Sequence, residues 1–173
     1  MFTPQISFSL EDQIGDNWCW LAVAVSTDRH FHLGSVLKQC DLAAQLIPGA
    51  SSCCTNSGSV PRKCDKPGAL DNALSAVNEL APGSNPMTGA LLFPQVQAEI
   101  DNGRPVGIRI GWDGDPQFKG HFIIITGYQV LKTKNKLYVQ DPLWGESLCS
   151  YQQVATNYLS NNGVWTHTYL VKG

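Results

Sequence analysis

The strongest constraint on how this chain can fold is a change of periodicity near Gly103. Before it, apolar residues recur mainly at helical spacing; after it they come in short β-branched and aromatic runs broken by Gly, Pro, Asp and Asn. Upstream, the turn-rich stretch from Ser9 to Asn17 leads into WCWLAVAVSTDRHF, which predicts a buried helix over about Asn17 to His30 with Asp16 or Asn17 as its N-cap. A second helix is expected from a Ser35 cap to about Ile47, ended by Pro48-Gly49. Leu70, Ala73, Leu74, Val77 and Leu80 form a core-facing stripe stopped by Pro82-Gly83. A further helix should run from Pro94 to Asn102, with Gly103 as its stop. Downstream, Val106 to Ile110, His121 to Val130, Lys136 to Gln140 and Val164 to Val171 read as strands. KTKNK supplies a hairpin turn between the second and third of them. Helices first and antiparallel strands second argue an α+β class.

The length of 173 residues suits one domain, 1–173. A net charge of -2 with 12 Lys plus Arg gives no electrostatic footprint for nucleic acid or an anionic membrane, so neither partner is expected. No apolar run approaches the roughly 20 residues that cross a bilayer. MFTPQISFSLEDQ lacks the basic flank and apolar run of a signal peptide. An exported form would therefore have lost its signal or use another route.

Four of the six cysteines, Cys40, Cys53, Cys54 and Cys64, fall in one short stretch, which tilts the compartment toward an oxidising one. Adjacent Cys53 and Cys54 would most simply bond to different partners, leaving Cys40 and Cys64 as candidates. A zinc site helped by His30 and His32 competes, although paired CxxC units are missing, and free thiols are the third possibility. His30 and His32 read as a helix terminus and its turn, and Trp112-Asp113-Gly114-Asp115-Pro116 as a tight turn. Cys149 reads as a strand-end core residue, and His167 lies in the last strand with no visible partner. No cofactor or metal is expected.

Four residues carry chemistry in combination. A thiol at a helix N-terminus is favoured as thiolate by unpaired backbone N–H groups and the helix dipole, and Cys19 stands at that place between two tryptophans. Gln13, six residues earlier across a polar turn, can join the Cys19 N–H in donating to an oxyanion. His121 opens an apolar strand after Gly120, where an imidazole can project from the sheet edge toward a thiol. Asp141 ends the neighbouring strand before Pro142 and can accept the second imidazole N–H. Each has an ordinary alternative taken alone: a buried apolar Cys, a solvated loop Gln, an edge histidine, an Asp-Pro turn.

Taken together, Gln13 and Cys19 in NWCWLAVAVS, His121 in GHFIIITGY and Asp141 in YVQDPLWG resemble the papain superfamily of cysteine proteases. More narrowly they resemble its compact bacterial branch, which includes effector proteases injected by plant pathogens. Asp as the third member departs from the Asn of plant and lysosomal enzymes and suits the bacterial branch and the related bacteriocin-leader peptidases. The resemblance implies a papain-like fold with a helical lobe over about 13–103, an antiparallel sheet or half-barrel over about 104–173, and the active site in the cleft between them. It implies peptide-bond hydrolysis by a Cys19–His121–Asp141 triad with Gln13 as oxyanion donor, on a protein or peptide substrate. A cognate inhibitor or immunity protein is a further expected partner, and a secreted or injected location is implied. Trp144 is expected to shield the His–Asp hydrogen bond. The same site could instead serve deamidation or acyl transfer, and a different class of reading is a non-catalytic, disulfide-stapled binding module.

Overall fold

A computed structural model of the chain describes residues 4–49, 53–54, 60–83, 86–112 and 120–173. The turn expected at 112–116 lies outside these residues apart from Trp112. Helix α1 spans Cys19–Phe31, and every residue from Cys19 to Thr27 is buried. A helix without a polar face must be covered on all sides. It packs against α2 (Gln39–Leu46), α3 (Leu70–Ala76) and the central strand of the sheet. After the two-residue strand β1 (Met87–Thr88), helix α4 (Phe93–Asp101) carries Pro94 in its first turn and ends at Asn102.

The remaining elements are β2 (Val106–Gly111), β3 (Gly120–Gln129), β4 (Lys136–Asp141), β5 (Gly145–Ser150), α5 (Tyr151–Thr156) and β6 (Val164–Leu170). Among the described residues the six strands form one antiparallel sheet in the order β1-β6-β2-β3-β4-β5. The α+β class expected from the sequence is what the chain adopts. Alternation along β3 divides the interior in two. Phe122 and Ile124 join the core under α1, α2 and α3, while Ile123 and Ile125 join a second core with Val96 and Ile100 of α4 and Val154 of α5. Helix α4 therefore lies across the sheet from α1, although the sequence groups it with the other helices. No helix among the described residues is long and apolar enough to cross a membrane.

Local expectations fail in three places, each for a visible reason. Neither Asp16 nor Asn17 caps α1: Trp18 holds the N-cap position without a side-chain cap bond, and Asn17 is turned to Asp65, its N–H donating to Asp65 Oδ1 at 2.8 Å and its side-chain amide to Asp65 O at 3.4 Å. Ser35 does not cap α2. Its hydroxyl donates to Asp28, and the helix starts after Lys38, whose N–H donates to Asp41 Oδ2 at 3.0 Å. Helix α3 ends at Ala76 rather than near Pro82, because Asn78 takes a left-handed φ of 62° and Leu80 bridges to Val171. Strand β5 and helix α5 have no counterpart in the sequence reading.

The cysteine-rich stretch closes as two disulfides, Cys40–Cys54 and Cys53–Cys64, with Cα separations of 5.6 and 5.7 Å. The adjacent pair does bond to different partners, and bonded thiols are no zinc ligands. Each bridge is worth about 2 to 4 kcal/mol in the chain-entropy account. The second of them sits directly under the start of α1, where Trp18 and Trp20 donate indole N–H groups to the carbonyls of Cys64 (3.0 Å) and Lys66 (3.3 Å).

Candidate active site

Cys19 is the first residue of α1 and is buried, with 6% of its surface exposed. No side chain caps the helix: the Leu21 and Ala22 N–H groups turn back onto Trp18 O, and the thiol stands at the positive end of the helix dipole. Its neighbours are fixed by the 64–68 segment. A Cβ on Gly68 would come within 2.4 Å of the Trp20 ring, so only glycine lets that segment lie flat on the indole. Trp20 also walls an open recess of about 540 Å³ that includes Ile47, Pro48, Pro67 and Ala76.

His121 opens β3 at the end of the sheet. The register pairs Ile124 with Gln140, which sets Asp141 opposite Ile123 and makes His121 its diagonal neighbour on the same face. His121 Nε2 and Asp141 Oδ1 are 2.7 Å apart. The other ring nitrogen is left for the Cys19 thiol, which lies close enough to act on the imidazole. Burial disfavours the imidazolium. The hydrogen bond and the charge of Asp141, together with the nearby Cys19 sulfur, more than offset it, and His121 is raised to about 9. The ring therefore stays protonated through neutral pH. Trp144 stands edge-on to it, centroids 5.2 Å apart and planes at 71°, while about half of its own surface faces solvent.

Asp141 is buried, and its oxygens are not equivalent. Oδ1 accepts from the backbone N–H of Leu143 (2.8 Å) and Trp144 (3.2 Å) as well as facing His121. Oδ2 accepts from the Tyr158 hydroxyl at 2.9 Å. Nothing in the residue pattern singles out Tyr158, which sits in a loop-like NYLSNNG stretch.

Gln13 is carried by an N-terminal arm that polar side chains hold across both halves of the molecule. Gln140 of β4 clamps the arm through Phe8 O and Leu10 N, Ser26 of α1 accepts from Glu11 N, and Gln39 of α2 binds Asp12 O and Ile14 N. The Gln13 N–H itself donates to Pro142 O at 2.9 Å, tying the arm to the turn after Asp141. Its side-chain amide donates to Gly15 O and Asp16 O at 2.8 and 2.9 Å, so both amide hydrogens have acceptors within their own loop. The structure thus brings Cys19, His121 and Asp141 together, with His121 bonded to Asp141, and places Gln13 on the loop that leads to Cys19.

Of the other residues singled out in the sequence, His30 and His32 do end α1. His32 pairs with Asp28 and Glu79. His167 has a partner after all, Thr166 Oγ1 at 3.1 Å. Cys149 is a half-buried free thiol on the edge strand β5.

Residues 5–169 match the model of the family described as Peptidase_C39 like. The chain belongs to the Peptidase_C39-like family. It is a cysteine peptidase with a papain-like fold, and proteins of this Peptidase_C39-like family and fold act on protein or peptide substrates. Among solved structures, the digestive procathepsin L 3 of the larval midgut of Tenebrio molitor is similar at 13% identity and a TM-score of 0.55, covering 98% of this chain and 69% of that one. A chain from the structural study of the mite allergens Blo t 1 and Der p 1 is similar at 13% identity and a TM-score of 0.57, covering 96% and 68%. At that identity these likenesses speak to the fold. The curated proteins contain no significant match.

Proposed function

We propose that this peptidase hydrolyses peptide bonds through Cys19 as nucleophile, His121 as its proton partner and Asp141 as the group that orients His121. The observation that carries this reading is the His121 imidazole, held by Asp141 at 2.7 Å on one side and close to the thiol at the start of α1 on the other. In that arrangement the sulfur attacks the scissile carbonyl carbon, His121 passes its proton to the leaving amine, and water then releases the acyl group from sulfur with His121 as base. The Cys19 backbone N–H is one donor to the tetrahedral oxyanion. Gln13 is the second, exchanging one of its loop acceptors for the substrate oxygen. Replacing it with alanine is expected to lower kcat about 10²-fold with little change in KM; an unchanged kcat removes Gln13 from the reaction.

Two disulfides are consistent with an extracellular protein. With the Asp in third position, they support a secreted bacterial enzyme that acts on proteins of a host or competitor and is restrained by a cognate inhibitor. The test is a search for new amino termini in a proteome treated with the intact protein or with Cys19→Ala. Termini that depend on Cys19 support proteolysis. A gain of about one dalton in intact chains, with no new terminus, identifies deamidation instead, and no Cys19-dependent change of either kind identifies a binding module.

A further inference from the structure

We propose that Tyr158 is a positioning residue for this site, fixing the plane of the Asp141 carboxylate so that one lone pair of Oδ1 is aimed at His121. The inference rests on the reading of Cys19 and His121 as the reacting pair. A carboxylate turns easily about its last torsion, and a hydrogen bond to it is strongest along a lone-pair direction in its plane. The two backbone N–H groups of Leu143 and Trp144 both hold Oδ1, which leaves the group free to pivot about that oxygen. Among the described residues Tyr158 is the donor that reaches Oδ2, at 2.9 Å, and so stops the pivot.

The surroundings of Tyr158 are built to keep that hydroxyl in place. Tyr158 is 1% exposed, and its N–H donates to Gly163 O at 2.8 Å across a closed turn. Within the turn Leu159, Ser160 and Asn162 hold left-handed φ angles of 56°, 55° and 56°, a conformation that is unfavourable for L-residues and is kept only where the surroundings impose it. Gly163 lies so close to Trp112 that a Cβ would stand 2.6 Å from its ring, and Trp112 in turn rests against Tyr158 with centroids 6.5 Å apart. The hydroxyl is also a permanent donor. Burial first, then the charge and hydrogen bond of Asp141, and last the nearby Cys149 push its ionisation far above neutral pH.

Tyr158→Phe removes one buried hydroxyl and keeps the ring. The readout is the rate at which iodoacetamide alkylates Cys19 between pH 5 and pH 10, which needs no substrate and whose upper step, near pH 9 in the wild type, reports the His121 proton. In Tyr158→Phe that step is expected to move down by about one pH unit, since His121 loses a correctly aimed acceptor. In an Asp141→Asn background the same replacement should move the step by less than about 0.3 pH unit, because Tyr158 acts through the carboxylate. An unchanged upper step, or an equal effect in both backgrounds, overturns the proposal and leaves Tyr158 a packing residue. A wild-type profile identical to that of His121→Ala overturns the nucleophile reading itself, and the two failures are distinct.

Discussion

Replacing His121 with alanine is expected to lower kcat/KM by roughly 10³- to 10⁵-fold while the protein stays folded. The imidazole has two tasks that no neighbour can assume. It holds the proton that leaves Cys19, and it delivers that proton to the amine that departs. Its side chain lies at the end of the sheet and is not part of either apolar core, so its loss opens a small polar gap without breaking the packing. With His121 raised to about 9, the imidazolium persists through neutral pH, and the wild-type rate should decline as pH rises through that value. The measurement is kcat/KM on a substrate found from the new amino termini, together with iodoacetamide labelling of Cys19 against Cys149. Equal labelling of the two thiols, unaltered in His121→Ala, would end the activated-pair account.

Replacing Asp141 with alanine is expected to combine two losses. Activity should drop about 10²- to 10⁴-fold, because an imidazole without its acceptor spends little time in the productive orientation. Stability should fall by about 2 to 4 kcal/mol, because four groups lose their acceptor in a buried place: the N–H groups of Leu143 and Trp144, the Tyr158 hydroxyl and the His121 ring. Urea unfolding followed by Trp fluorescence measures the second loss, and single-turnover kinetics the first. A variant as stable as the wild type would mean that the hydrogen bonds around this carboxylate are not formed in solution. The direction separates this residue from Cys19, whose replacement should cost activity with little loss of stability.

Much of the fold is legible in the residues because local chemistry decides it. WCWLAVAVS is apolar on every face, so it can only be a helix covered from all sides, and FIIIT can only be a central strand. Pro94 and Gly103 mark the ends of α4 as their backbone preferences require. Where local signals compete, the reading slips. Asn17 looks like a cap but binds Asp65 instead, and GESLCS lacks the apolar alternation of a strand because β5 is an edge with most of its residues partly or fully exposed. The stripe through Leu80 is correct as a burial pattern and wrong as a helix, since Asn78 turns the chain and Leu80 reaches the same core from a β-bridge.

By itself, then, the sequence determined most of the elements, a helix-rich first half followed by a strand-rich second half, and the four residue types that a thiol-based hydrolysis would use. Only the tertiary structure decided which of them meet: that Cys19 and His121, 102 residues apart, come together, that the Gln13 amide is engaged within its own loop, and that Tyr158 closes the far side of Asp141. Backbone preference and burial act over a few residues and leave their mark in the local pattern. Contacts between distant side chains depend on how the helices settle on the sheet, and that is fixed by the packing of the whole interior at once.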